Sequence, residues 1–275
     1  MNIVLFDREE LAAPLPAGDR RARHITDILK LSPGDRFRAG IVNGPAGAAV
    51  LRARGADGSL DIAFEPRDDP APAGAPGGSP GGDEAPGGLH PLGLLLGHPR
   101  PIVLRRMLRD LSTLGVERVV VTRTELGEKS YLRSKLWEGD AVRRLLIEGA
   151  EQAGVTCIPE VARAWSLARG IEQLVAERGE AARVMFDTAE DAGPAADNGG
   201  APDPRGGSSR AAGFPGGSSG ARVIAVGPER GWTEAERRTL QTAGFERRGL
   251  GARMLRTETA SVAAVVVMLQ EMGLV

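Results

Sequence analysis

The amino-acid sequence predicts an α/β protein of two domains, a small β-barrel with one helix followed by a larger domain with a mostly parallel sheet. Short extended runs separated by turn residues fill residues 1–65. Across residues 91–275, strand-length apolar runs alternate with helix-length amphipathic segments, an order that favours parallel strands with helices on both faces. Two Pro- and Gly-rich segments, 66–90 and 187–221, carry few large apolar side chains, so we expect both to be flexible.

The N-terminal domain is expected to contain one helix and several short strands. The helix is predicted around residues 19–31, with Ile25, Ile28 and Leu29 as its apolar stripe. Turn signals such as the run from Asn43 to Pro45 separate the extended runs. The strands are predicted at residues 3–6, 36–42, 48–52 and 60–64. These elements favour a small barrel, because a single curled sheet and one helix enclose a core.

The C-terminal domain reads as alternating strands and helices, interrupted by the segment 187–221. Thr233 followed by Glu236 forms a capping-box pattern, which predicts the start of a helix at that point. Extended runs are predicted at 92–96, 118–122, 183–186, 223–226 and 245–250, and helices at 102–115, 132–153, 233–243 and 257–272.

Composition excludes several classes of protein. The net charge of −1 argues against a wholesale polyanion binder, although a local basic face remains possible. One cysteine, Cys157, rules out a disulfide within the chain and favours a reducing cytosol. The three histidines lie far apart in sequence, so we expect no metal centre. The longest apolar run, 262–269, is far shorter than the roughly 20 residues needed to span a bilayer.

Two glycine-bearing loops are the candidate ligand site. One follows the strand that ends at Val226 and leads into a helix, and the other runs from Gly251 to Arg256 before the last helix. Open parallel sheets bind ligands at the carboxyl ends of their strands, glycine permits close approach, and helix N-termini present free N–H groups. The loops therefore suit an adenosine-bearing ligand, although either loop alone is also an ordinary strand–helix connection. The sequence lacks the glycine fingerprints of dinucleotide and triphosphate sites.

The two loops resemble one family of RNA-modifying enzymes. Gly-Pro-Glu-Arg-Gly-Trp-Thr at 227–233 and Leu-Gly-Ala-Arg-Met-Leu-Arg-Thr-Glu-Thr-Ala at 250–260 are similar to the ribosomal RNA small subunit methyltransferase E family of the SPOUT superfamily. The resemblance implies an N-terminal PUA-like domain, a C-terminal trefoil knot, S-adenosylmethionine as cofactor and a homodimer. It also implies N3-methylation of a uridine in 16S rRNA of the small ribosomal subunit.

The same resemblance implies the residues of the site. Methylation of N3 requires loss of its proton, and Arg256 is our first candidate for the cation that stabilises the resulting uracil anion, with Glu258 as a base or as a partner that holds Arg256. Glu258 also has an ordinary interpretation, as a favourable charge at a helix N-terminus. Glu229 is expected mainly to fix its loop by accepting backbone N–H groups. The implied cofactor-binding residues are Phe186, Gly227, Pro228, Glu229, Gly231, Leu250, Gly251, Met254, Leu255, Arg256 and Thr259.

Binding of RNA requires cations, and residues 100–144 contain eleven basic and six acidic side chains. Tyr131 is flanked by basic residues and is a candidate for stacking on a base. An ordinary solvated helix face explains the same charges equally well. The RNA-binding candidates are Arg20, Arg21, Arg23, Arg105, Arg106, Lys129, Tyr131 and Arg133.

Departures from the family pattern leave two alternatives open. Arg230 stands where the family has glycine, and a positive φ there would strain an arginine. The segment 111–116 lacks the glutamate usual in the family, which leaves open a related enzyme acting on another RNA position. The second alternative is a catalytically weak RNA-binding or ribosome-assembly factor, which Arg230 favours.

Overall fold

The computed structural model describes residues 2–67, 88–176, 179, 181–187 and 220–275. The strands are β1 Val4–Phe6, β2 Arg36–Ile41, β3 Ala46–Arg54, β4 Leu60–Pro66, β5 His90–Gly97, β6 Val116–Thr122, β7 Glu160–Ala164, β8 Ala182–Asp187, β9 Arg222–Val226 and β10 Glu246–Gly249. The α-helices are α1 Arg20–Arg23, α2 Pro101–Thr113, α3 Ala141–Ala153, α4 Leu167–Val175, α5 Glu234–Thr242 and α6 Thr257–Glu271.

The chain divides into two compact units. The first contains residues 1–89, 108–115 and 140–159, and the second contains 90–107, 116–139 and 160–275. The predicted α/β class is confirmed. None of the described helices combines the length and the apolar composition needed to cross a bilayer.

The first unit is built on a mixed four-stranded sheet in the order β1-β2-β3-β4. β1 pairs with β2 in parallel, and the other pairs are antiparallel. The sheet curls into a half-barrel, so the small β-barrel predicted from the sequence is confirmed in its open form. On one side of β1, Ile3 and Leu5 pack with Ala150 of α3, and a separate cluster around Phe6, Ile25 and Leu60 fills the inside of the curl.

The helix predicted at 19–31 is present from residue 20 to residue 28, but only its first four residues are α-helical and the rest is a π-helix. α1 is only four residues long and passes directly into a π-turn at His24–Ile28, in which Leu29 N–H donates to the His24 carbonyl. The wider turn moves the following residues off the helical phase. Ile25 is therefore buried, whereas Ile28 and Leu29 are exposed, and the predicted apolar stripe is reduced to one residue.

The second unit contains an all-parallel six-stranded sheet in the order β10-β8-β9-β5-β6-β7. A cluster of buried side chains from α4, α5 and alternate strand positions covers one face, with Leu95, Ala225 and Leu174 among its members. α6 packs against β9 and β5 outside that cluster, so helices cover both faces as predicted. This arrangement leaves the carboxyl ends of the strands free to carry the loops.

The helix predicted at 132–153 is correct only from residue 141 onward. Residues 131–137 form two short 3₁₀ turns instead, and Gly139 takes a φ of +51°, which an α-helix does not accommodate. Leu132 and Leu136 are nevertheless buried, which explains why the apolar pattern continued through them. The sequence analysis also missed α4 and β7, of which β7 is short and rich in alanine and charged residues.

The two Pro- and Gly-rich segments fall largely outside the described residues, which omit 68–87 and 188–219. Ordered strands extend slightly into their predicted bounds, since β4 includes Pro66, β5 begins at His90 and β8 includes Asp187. The predicted trefoil knot depends on the path of residues 188–219, which also lie outside the described residues.

Candidate active site

The candidate site lies at the carboxyl edge of the parallel sheet in the second unit. Phe186 of β8 is paired in register with Val226 of β9, and Gly249 of β10 is paired with Asp187. β8 lies between β9 and β10, so the two predicted loops leave the same edge about 10 Å apart. The parallel register thus brings together loops that are more than twenty residues apart in sequence.

The loop after β9 is a tight turn supported by β5. Gly231 N–H donates to the Pro228 carbonyl over 2.8 Å, and Gly231 takes a φ of +67°, which favours glycine. Pro228 is buried against Gly97, where a Cβ would lie 2.8 Å from the Pro228 nitrogen. Among non-glycine residues of the described chain, only Lys30 and Asn43 have positive φ, so Arg230 carries none of the expected strain.

Glu229 fixes this loop to the end of the neighbouring strand β5. Its Oε1 accepts the backbone N–H of Arg100 over 2.9 Å, which agrees with the expected loop-fixing role.

Further along the chain, the predicted capping box at the start of α5 is confirmed. Glu236 accepts from Thr233 N–H at 2.9 Å and from Glu125 N–H at 2.8 Å, which ties α5 to the segment after β6.

The loop after β10 is open to solvent. Gly251 takes a φ of +96°, and a Cβ placed on Gly249, Gly251 or Gly231 would meet no atom of the described residues within 4 Å. Met254 is 79% exposed, while Leu255 is half-buried. The backbone of both loops is therefore accessible, and a large apolar side chain stands unburied beside it. This combination fits a ligand that binds backbone donors and covers apolar surface.

Arg256 and Glu258 stand at the start of α6. Arg256 is the N-cap residue and is exposed, and its carbonyl accepts the N–H of Ala260. Within the described residues, neither Glu258 nor any other carboxylate forms an ion pair with its guanidinium. Glu258 lies half-buried in the first turn, where its charge complements the helix dipole, and Thr259 is exposed. The structure therefore does not show Glu258 holding Arg256.

The end of β8 contains a carboxylate that the sequence analysis missed. Asp187 was assigned to the flexible segment, but its side chain is only 3% exposed. Its Oδ2 lies 2.7 Å from Nε of Arg237 and 3.1 Å from Nη2 of Arg247. Next to it, Phe186 is buried below the guanidinium of Arg248, 5.9 Å from the ring centroid. A buried carboxylate needs partners on other elements, and these two arginines fasten β8 to α5 and β10.

His98, directly after β5, is another buried polar group. The ring is buried, and Nδ1 lies 2.6 Å from the Pro99 carbonyl, which accepts only, so Nδ1 carries the proton. Nε2 then accepts from the indole N–H of Trp137 over 3.1 Å. Burial lowers the pKa of His98, so the ring is neutral and serves to position Trp137 and the nearby Tyr131.

The predicted RNA-binding residues differ in their exposure to solvent and in whether a carboxylate pairs with them. In the second unit, Arg106, Lys129 and Arg133 are exposed, and Arg105 and Tyr131 are half-buried. In the first unit, Arg23 is exposed, Arg20 pairs with the buried carboxylate of Glu151 at 2.8 Å, and Arg21 pairs with both Glu10 and Asp19. Burial opposes the charge of Arg21, but the hydrogen bonds to these two carboxylates outweigh it and raise the pKa of Arg21. The two ion pairs make Arg21 a structural cation of the first unit.

Comparison with known proteins identifies the family. Residues 88–269 match the RNA methyltransferase domain family. The ribosomal RNA small subunit methyltransferase E of Treponema pallidum is 37% identical, over 98% of this chain and 91% of that protein. The ribosomal RNA small subunit methyltransferase E 1 of Borreliella burgdorferi is 26% identical, over 97% of both chains.

Solved structures share the fold. The ribosomal RNA small subunit methyltransferase E of Neisseria gonorrhoeae, bound to S-adenosyl methionine, superposes with a TM-score of 0.67 at 21% identity, covering 98% of this chain and 97% of that one. A methyltransferase of Legionella pneumophila, with bound S-adenosyl methionine, gives 0.66 at 17% identity with the same coverage. The sequence match and the shared fold both extend over nearly the whole chain. The chain therefore belongs to the ribosomal RNA small subunit methyltransferase E family.

Proposed function

We propose that this chain transfers a methyl group from S-adenosylmethionine to N3 of a uridine in 16S rRNA of the small ribosomal subunit. One observation carries the proposal: two loops with accessible glycine backbone, at Gly231 and Gly251, leave the same edge of the sheet in a chain of this family. We place the reaction in the cytoplasm, where the small subunit is assembled and acts.

The residues present fit the cofactor. Gly231 and Gly251 leave room for a ligand against the backbone, and Leu250, Met254 and Leu255 offer apolar surface to an adenosine. Burial of Met254 under a ligand would remove one of the most exposed large apolar side chains of the described residues from water. When bound, S-adenosylmethionine supplies a methyl group already activated by its sulfonium charge. The other cofactor-binding residues proposed from the sequence line the same edge or the loops that leave it.

The chain's own task is to align the uracil and to favour loss of its N3 proton. Arg256 is suited to this, because its guanidinium is exposed beside the open loop and no carboxylate of the described chain neutralises it. A positive charge close to the base stabilises the uracil anion. Glu258 remains the candidate to accept the proton.

A homodimer is part of the proposal. α6 is apolar around most of its circumference, and its outer side carries Val266, which is 39% exposed. A helix of that composition is ordinarily buried on all sides, so a second subunit is the natural cover. Light scattering or sedimentation of the purified protein should give twice the monomer mass, and a monomer at working concentration would contradict the proposal.

The test of function is transfer of labelled methyl to small ribosomal subunits that lack this modification, followed by reverse-transcriptase mapping. N3-methylation blocks the Watson–Crick edge, so we expect incorporation and a single stop next to one uridine. Arg256→Ala should lower the rate by about 100- to 1,000-fold. The matched control is Arg230→Gly, which removes a guanidinium from the other loop and restores the residue usual in the family.

Each other outcome has its own meaning. Cofactor binding without incorporation would favour an enzyme that acts on another RNA position. No cofactor binding would favour the RNA-binding or assembly factor, although Arg230, the feature that suggested it, adopts an unstrained conformation. A loss in Arg256→Ala confined to cofactor affinity would assign that residue to cofactor binding alone.

A further inference from the structure

Trp165 is a large aromatic side chain exposed at the carboxyl edge of the sheet. It directly follows β7 and is 51% exposed, whereas the other two tryptophans are half-buried or buried. Ser166 beside it caps α4 by accepting the N–H of Arg169, so the backbone at this position is held on both sides. An indole left in water at a fixed position is available to a partner.

Two guanidinium groups lie over this indole in cation–π contact. Arg133 and Arg163 each lie with their guanidinium carbon 5.8 Å from the Trp165 ring centroid. Arg163 is held in place, since it donates to the Leu132 carbonyl at 2.7 Å and also lies 5.6 Å from the ring of Trp137. Neither arginine has a carboxylate partner among the described residues. The cluster of Trp165, Arg133 and Arg163 therefore combines a flat aromatic face with uncompensated positive charge.

The cluster lies on the same edge as the candidate cofactor loops. Ala164 of β7 is in register with Thr122 of β6, and β7 is three strands away from β9 in the sheet. At about 4.8 Å per strand, the ends of β9 and β7 are separated by about 14 Å. That span corresponds to about four nucleotides of a stacked strand, at about 3.4 Å each.

We propose that the Trp165 cluster binds an unpaired base of the RNA substrate a few nucleotides from the methylated uridine. The base stacks on the indole, and the two guanidinium groups attract the adjoining phosphates. This site rests on the proposed function, since it takes the substrate to be RNA. Stacking on an aromatic ring tolerates any base and is strongest for purines, so the site holds the strand without reading its sequence.

Binding of oligoadenylate, about ten nucleotides long, to the full chain tests this site. Stacking should quench the fluorescence of Trp165, and Trp165→Ala should weaken binding about 5- to 100-fold. Trp165→Phe keeps an aromatic face and should stay within about threefold of the wild type. The matched control is Arg238→Ala, which removes an exposed arginine from α5 that pairs with Glu234. Oligouridylate should bind more weakly than oligoadenylate.

Methyl transfer to small subunits, measured with the same proteins, separates this inference from the proposed function. An active wild type whose oligoadenylate affinity is unchanged in Trp165→Ala would overturn the stacking site alone. A wild type that binds oligoadenylate through Trp165 but methylates no ribosomal RNA would overturn the proposed function and leave the site standing. A wild type that binds no oligoadenylate would also overturn the site. Equal losses in Trp165→Ala and Trp165→Phe would exclude stacking as the cause.

Discussion

Gly97 supports the candidate cofactor loop, and its replacement by alanine tests how that loop is positioned. A Cβ at Gly97 would lie 2.8 Å from the nitrogen of Pro228, closer still to its Cδ, and 3.1 Å from Cγ2 of Thr124. Carbon atoms pack at about 3.5–4.0 Å, so Pro228 would have to move by more than about half an ångström. The proline ring includes the backbone nitrogen and cannot rotate away, so the loop backbone must move with it.

The cost follows from this geometry. Overpacking of a buried contact destabilises a protein by about 1–3 kcal/mol. For a chain of this size, that lowers the melting temperature by about 2–5 °C. A shift of the loop by about 1 Å also misplaces the groups that position the substrate, so the rate of methyl transfer should fall by about 100-fold.

Calorimetry of Gly97→Ala gives both the melting temperature and the affinity for S-adenosylmethionine, and the transfer assay gives the rate. The matched control is Gly18→Ala, because a Cβ there meets no atom within 4 Å in the described part of the chain and its φ lies outside the left-handed region. Its stability should change by less than about 0.5 kcal/mol. A lower melting temperature with unchanged cofactor affinity and rate would refute the reasoning that Gly97 positions the loop through Pro228.

Two further predictions concern stability. Thr233→Ala removes the cap of α5 and its exchange with Glu236, so the free energy of unfolding in urea should fall by about 1–2 kcal/mol, whereas the exposed mid-helix Thr239→Ala should change little. Burial lowers the pKa of His98, so the folded state binds fewer protons than the unfolded state below about pH 6.5. The contribution of His98 to the free energy of unfolding is therefore fully present above that pH and is lost as the pH falls toward the folded-state pKa. NMR titration should show His98 protonated only below its ordinary range, and a ring that titrates above it would contradict the hydrogen bond accepted from Trp137.

Elements with local signals could be predicted from the amino-acid sequence. Alternation of apolar runs predicted most strands of the second unit, and Thr233 with Glu236 predicted the start of α5, because a capping box lies within four residues. The motifs at 227–233 and 250–260 also identified the family and both loops. The same local rules failed at 131–140 and at the π-turn after α1, where buried leucines or a widened turn imitate or interrupt a helical pattern.

Contacts between residues that are distant in sequence could not be predicted in this way and are seen in the folded chain. The parallel register places the ends of β9 and β10 at one edge, and the carboxylate of Glu229 meets the backbone of Arg100 across 129 residues of sequence. In the first unit, folding pairs Arg21 with carboxylates and so neutralises its charge. In the second unit, folding brings Arg133, Arg163 and Trp165 together and leaves them exposed. Pairings of this kind depend on which strands become neighbours, and that choice is made by burial of the whole sheet rather than by any short stretch of chain.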